Sequence, residues 1–128
     1  MSRFVRPQTK TLTLANGDTL VVRERLTAGE QRAHFARQYE HGPNGRLQVN
    51  PLMMGAAVVL AYLLDWDLTD DQGQAVVIRD LAADDLARVI DALEPESFTE
   101  IRQAIEAHEA AMVEARTQKK TIPDGGTP

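Results

Sequence analysis

Cysteine is absent from the 128 residues. That excludes disulfides, zinc–thiolate centres and a thiol nucleophile, and an intracellular setting is the plain expectation. Serine occurs only at positions 2 and 97. Ser97 is accounted for below as a helix cap, so a serine nucleophile has no good candidate. No hydrophobic run is long: PLMMGAAVVLAYLL at 51–64 falls short of the ~20 residues that span a bilayer. It is expected as a helix buried on most sides, with no membrane contact. The opening MSRFVRPQTK lacks the apolar segment of a secretory signal.

What is abundant is acid, and it is unevenly placed. Residues 1–46 carry eight Arg/Lys against four Asp/Glu, whereas residues 47–116 carry four against fourteen. An acidic body is a poor match for nucleic-acid phosphates, so no nucleic acid is expected as a partner. Opposed halves suit contact with protein surfaces, copies of the same chain included, or a solvated surface with no partner at all.

One domain is expected over 1–116, its fold α+β and mainly α. It opens on an N-terminal β-hairpin over 9–26 and continues mainly helical over 28–116, with about four helices and one short strand or turn element. TKTLTL and TLVVRERL flank Asn16-Gly17, a strong hairpin signal. Thr27-Ala-Gly-Glu30 is a capping box opening a helix over about 28–40, and HGPNGRLQVN at 41–50 reads as loop. Asn50-Pro51 caps and starts the apolar helix. Asp80 is expected to cap a helix over about 81–93, with Leu86, Val89, Ile90 and Leu93 on one face. Ser97-Phe-Thr-Glu100 is a second capping box, opening the longest helix, which runs to about Arg116. TQKKTIPDGGTP, 117–128, is expected as a disordered tail.

The densest cluster of chemistry is LLDWDLTDDQGQAV at 63–76. A calcium loop starting at Asp65 would place Asp70 where a glycine is required and Val76 where a bidentate Glu is required. Starting at Asp67 is no better, with Gln72 and Ile78 at those positions. The acids therefore mark a turn, Gly73 supplying a positive φ, and Ala75 to Ile78 is a short run that could return as a strand. His108-Glu109-Ala-Ala-Met112 misses the HExxH zinc motif at its second histidine. His34 and His41 are too far apart on one helix to share an ion. Gly42-Pro43-Asn44-Gly45 lacks the GK[ST] of a phosphate loop. No metal, no cofactor and no catalytic residue is assigned.

Two features are candidates for protein binding. Trp66, the sole tryptophan, is either a core residue or an interface anchor. The longest helix carries a stripe at heptad spacing that includes Phe98, Ile101, Ile105 and Met112. That stripe either packs on the domain's own core or supports self-association.

The combination of AYLLDWDLTDDQGQAVVI (61–78) with LEPESFTEIRQAIEAHEAAM (93–112) resembles the tail assembly chaperones of siphophages and prophages of high-GC bacteria. The matching positions are Asp65, Trp66, Leu68, Asp70, Asp71 and Gly73, then Leu93, Pro95, Glu96, Phe98, Glu100 and Ile101. The likeness covers roughly 50–115 and leaves out the hairpin. It implies a non-enzymatic protein of the host bacterial cytoplasm. Such a chaperone binds the tape-measure protein, keeps its apolar helices soluble and recruits major tail (tube) protein. A structural virion protein, such as a tail-completion or head–tail connector subunit, is the alternative, and a metal-dependent regulator or enzyme the more distant one. The family commonly makes a longer frameshifted product, for which Lys119-Lys120 would be a candidate slip site.

Overall fold

A computed structural model describes the backbone of residues 2–125 and the side chains of residues 2–117. The N-terminal hairpin forms as expected. Strands β1 (Thr9–Thr13) and β2 (Thr19–Arg23) pair antiparallel with Thr13 opposite Thr19. Gly17 holds φ 95, and the Asn16 side chain accepts from the Asp18 N–H at 3.1 Å, which closes the turn. Alternation along β2 sends Leu20 and Val22 inward, both fully buried.

Helix α1 (Ala28–Arg37) opens on the expected reciprocal cap. The Glu30 N–H donates to Thr27 Oγ1 at 3.1 Å and the Thr27 N–H donates to Glu30 Oε1 at 2.8 Å. It ends three residues earlier than its periodicity predicts, because Tyr39 leaves the helix for a strand. The segment expected as loop is a two-stranded ribbon of β3 (Tyr39–His41) and β4 (Leu47–Val49), turning at Gly45 with φ 73. Its Gly- and Pro-rich centre made only the turn visible; the flanking strands are three residues each, too short to show alternation.

Helix α2 (Pro51–Tyr62) starts at the expected Asn50 cap, whose Oδ1 accepts from the Leu52 N–H at 3.1 Å. It does not continue to 64. Strand β5 (Leu63–Trp66) begins at once and pairs antiparallel with β2, Trp66 opposite Leu20, giving sheet order β1-β2-β5. The strand expected over 75–78 is absent there; only an isolated bridge joins Thr69 to Ala75. The free edge of β2 needed a hydrogen-bonding partner, and an all-apolar run carries no period that separates buried helix from buried strand.

Helix α3 (Ala83–Asp91) is shorter than expected, and Asp80 does not cap it. Asp80 sits at φ 66 in the linker, and the cap position falls to Ala82, which makes no side-chain bond. Helix α4 (Pro95–Gly125) starts two residues before the expected Ser97 cap. Proline's fixed φ suits the first helical position. Glu100 is thereby released from the expected capping box, and its Oε2 accepts from the Ala15 N–H at 3.2 Å, tying α4 to the hairpin turn. The helical backbone passes Arg116 and reaches Gly125, since no proline or glycine interrupts 96–122. The tail expected over 117–128 is thus helical where its backbone is described. The side chains of 118–125, Lys119 and Lys120 among them, and all of 126–128 lie outside the described residues.

The fold class is α+β and mainly α, with four helices and two small antiparallel sheets among the described residues. Helix α2 is central, packed against α1, α3 and α4. Leu20, Val22, Val59, Ile101 and Ile105 are the largest fully buried side chains, joining β2, α2 and α4 in one core. Arg23 ties three elements together: its Nη1 donates to the Ala61 carbonyl at 2.8 Å, and its Nε lies 2.9 Å from Glu30 Oε2.

Candidate functional site

Three of the four aspartates around Trp66, Asp65, Asp67 and Asp70, are engaged by neighbours. Asp65 Oδ2 accepts from Arg79 Nη2 at 2.9 Å and its Oδ1 accepts from the Trp66 N–H at 2.9 Å. The Arg79 hydrogen bond holds the Asp65 carboxyl below the usual carboxylate range. Asp67 Oδ1 accepts from the Thr19 N–H at 2.7 Å, and Asp70 Oδ1 accepts from the N–H groups of Gln72 and Gln74, both at 2.9 Å. These bonds fasten β5 to β2 and close the 70–74 turn. Among the described residues, no group of three or more His, Asp or Glu could hold a metal ion.

Gly73 holds φ 78 in this turn, with open space where a Cβ would stand. Gly73→Val is therefore expected to cost about 1–2 kcal/mol through left-handed strain alone. Asp70→Asn keeps the accepting oxygen and is expected to change stability little. Urea unfolding measures both. A large, calcium-dependent loss in Asp70→Asn would restore a metal-binding role for the loop.

The candidate binding residues of the stripe divide by burial. Ile101 and Ile105 are in the core at 1% and 0% exposure, and Phe98 packs half-buried against that core. Met112 is half-buried at the end of the stripe, beside a groove between α1 and α4. Trp66 is 8% exposed and its Nε1–H donates to the Val76 carbonyl at 2.7 Å. Of the two alternatives, core or interface, burial assigns Ile101, Ile105 and Trp66 to the core. The sheet and α2 needed a covering helix, and α4 supplies that face.

His108 is also structural. His108 Nε2 lies 3.1 Å from the carbonyls of both Arg23 and Glu24, so that nitrogen carries the proton. Its ring meets Tyr62 edge-on at 5.9 Å. Burial, reinforced by the Glu109 carboxylate, pushes the Tyr62 hydroxyl up to about 12. A phenol whose folded pKa is raised contributes stability that is present below its ordinary value near 10 and lost as pH climbs toward 12. The urea midpoint should fall across that window in the parent chain, and this part of the fall should vanish in Tyr62→Phe.

Sequence reasoning missed a concentration of exposed apolar side chains in one stretch of chain. Eleven large hydrophobics are exposed among the described residues, and seven of them lie between Phe35 and Met54. The ribbon shows why. Cross-strand pairs Tyr39–Val49 and His41–Leu47 place four side chains on one face, and Glu40–Gln48 takes the other. Both faces are exposed, so the apolar one is uncovered; Leu47 is 68% exposed. Helix α1 enters this ribbon and α2 leaves it through Asn50, whose Nδ2 donates to Glu40 Oε2 at 3.2 Å. The first turn of α2 then presents Leu52, 91% exposed, with Met53 and Met54. Methionine adapts its shape to a partner, which suits a docking surface. The signal available beforehand was that 51–54 open an otherwise buried helix directly after a segment that carries Leu47 and Val49.

No protein family matches this chain, and no curated protein and no solved structure matches it either.

Proposed function

We propose that this chain is a tail assembly chaperone of a bacteriophage or prophage, a non-catalytic protein that binds tape-measure helices in the host cytoplasm. One observation carries the reading beyond the sequence likeness: the seven exposed large hydrophobics between Phe35 and Met54, the ribbon's apolar face and the first turn of α2 among them. A surface of that kind stabilises a partner by removing its apolar area from water. Asp65, Asp67 and Asp70, the carboxylates nearest Trp66, hold turns and strand junctions. Recruitment of tail-tube subunits follows from the same likeness.

Co-expression with the tape-measure protein of the same phage tests this directly. Soluble tape-measure protein and its co-purification with this chain are the expected results. Purified tail particles should lack the chain; its presence there at fixed copy number would favour a structural virion subunit instead. Leu52→Asp is expected to reduce co-purification and leave the melting temperature within about 2 °C, because an exposed side chain contributes little to the fold.

A further inference from the structure

Sheet order β1-β2-β5 leaves its two outer edges unequally protected. Along β5 the Trp66 N–H is taken by Asp65 Oδ1, and bonds from the indole to Val76 and from Arg79 to Asp65 draw the 76–79 segment against the strand. Strand β1 has no such cover. The Leu14 N–H donates to the Asp18 carbonyl at 2.7 Å and the Glu24 N–H to the Gln8 carbonyl at 2.9 Å, which fixes the phase of the ladder. Gln8, Lys10, Leu12 and Leu14 therefore turn their backbone groups toward β2, and Thr9, Thr11 and Thr13 turn theirs outward. Among the described residues none of these outward groups has a partner, and all three threonines are exposed. Both ends of the edge are closed. Pro7, the next outward position, has no N–H to give, and the chain reverses at Asn16-Gly17. What remains is Thr9–Thr13, its outward groups symmetrical about Thr11.

We infer that a second copy of the chain adds its own β1 to this edge, antiparallel and in two-fold register about Thr11, so that two three-stranded sheets become one of six. In that register Thr11 faces its own counterpart and Thr9 faces Thr13 of the other copy. Each such pair exchanges two N–H to C=O bonds. An edge lysine commonly discourages pairing. Here Lys10 falls opposite Leu12, where its aliphatic stem covers the leucine and no like charges meet. Sliding the seam by one pair loses hydrogen bonds in either direction. One slide brings Pro7 into the ladder and sets Lys10 against Lys10; the other reaches Ala15, whose N–H is held by Glu100. Charge favours a copy of this chain over an arbitrary strand. Residues 2–8 carry Arg3 and Arg6 with no acid, and the antiparallel register directs them at the hairpin turn of the other copy, where Asp18 and Glu100 stand. The two-fold axis makes that contact twice. The dimer is independent of the chaperone reading.

The absence of cysteine makes single-cysteine crosslinking of the full chain a clean probe. At the axis, opposed Cα atoms stand about 5.5 Å apart, within disulfide reach, whereas Thr9 and Thr13 each stand roughly 13 Å from their own counterparts. Under mild oxidation Thr11→Cys is expected to crosslink at least about tenfold faster than Thr9→Cys or Thr13→Cys alone. An equal mixture of the Thr9→Cys and Thr13→Cys chains should crosslink to each other. Sedimentation velocity of the parent chain should show a dimer populated by about 100 μM that dissociates on dilution, as suits a small interface. Thr11→Pro removes an outward N–H and should raise the dissociation constant at least about tenfold with a retained circular-dichroism melt. Thr11→Lys and Thr11→Glu keep that N–H and serve as a second pair. Each alone should be monomeric, and the two mixed should associate. A parent chain still monomeric near about 500 μM overturns the inference. So does equal crosslinking at all three positions, or a dimer that survives both Thr11→Lys and Thr11→Glu.

Discussion

Ile105→Asp is expected to abolish cooperative folding. Ile105 has no exposed surface and sits on α4 in the core shared with β2 and α2. The substitution removes a fully buried side chain, about 2–3 kcal/mol of apolar burial. It also introduces a carboxylate that must either stay charged without a partner or take up a proton at further cost. Together these exceed about 4–5 kcal/mol, most of the stability of an ordinary small domain. Loss of the helical circular-dichroism signal and of a thermal transition is the result to look for. A folded monomer that had merely lost self-association would mean that the stripe is an interface after all. Ile105→Val gives the graded control, with an expected cost near 1 kcal/mol.

Trp66→Ala comes next in size, at about 3–5 kcal/mol. The ring stands opposite Leu20 in the β2–β5 ladder, and its Nε1–H is the tie that draws the 70–76 segment against the sheet. Alanine removes the packing and the hydrogen bond together. Trp66→Phe keeps much of the packing and loses only the donor, so its expected cost is nearer 1–2 kcal/mol. Urea unfolding followed by circular dichroism separates the two. A small effect from Trp66→Ala would mean that the indole serves a partner rather than the fold.

Several elements set by local information could be read in advance. Asn16-Gly17 produced its hairpin because a type of turn that needs positive φ has few other solutions. Thr27 and Glu30 closed their reciprocal cap because both partners lie within one turn of the chain. The same logic failed at Ser97 and Glu100. There the proline at 95 began the helix first, and a backbone N–H at Ala15, 85 residues away, took the carboxylate. Asp80 failed as a cap for a related reason: the chain enters α3 through a left-handed residue, a geometry set by where α3 must pack.

The candidate site was legible only in part. Heptad spacing correctly placed Phe98, Ile101, Ile105 and Met112 on one face of α4, but spacing is indifferent to whether that face meets a partner or the chain's own sheet. The ribbon at 39–49 leaves an apolar face exposed, and its strands are too short to announce themselves.

The sequence by itself determined the hairpin, three of the four helix starts to within about two residues, the acidic turn with its glycine and the absence of any thiol. These depend on residues a few positions apart, where sterics and short hydrogen bonds dominate. Only the tertiary structure decided that Leu63–Trp66 is a strand, that α4 buries its stripe and that Phe35–Met54 stays uncovered. Those outcomes turn on which surfaces cover one another. Apolar burial is non-directional, so it leaves that choice to the packing of the whole chain.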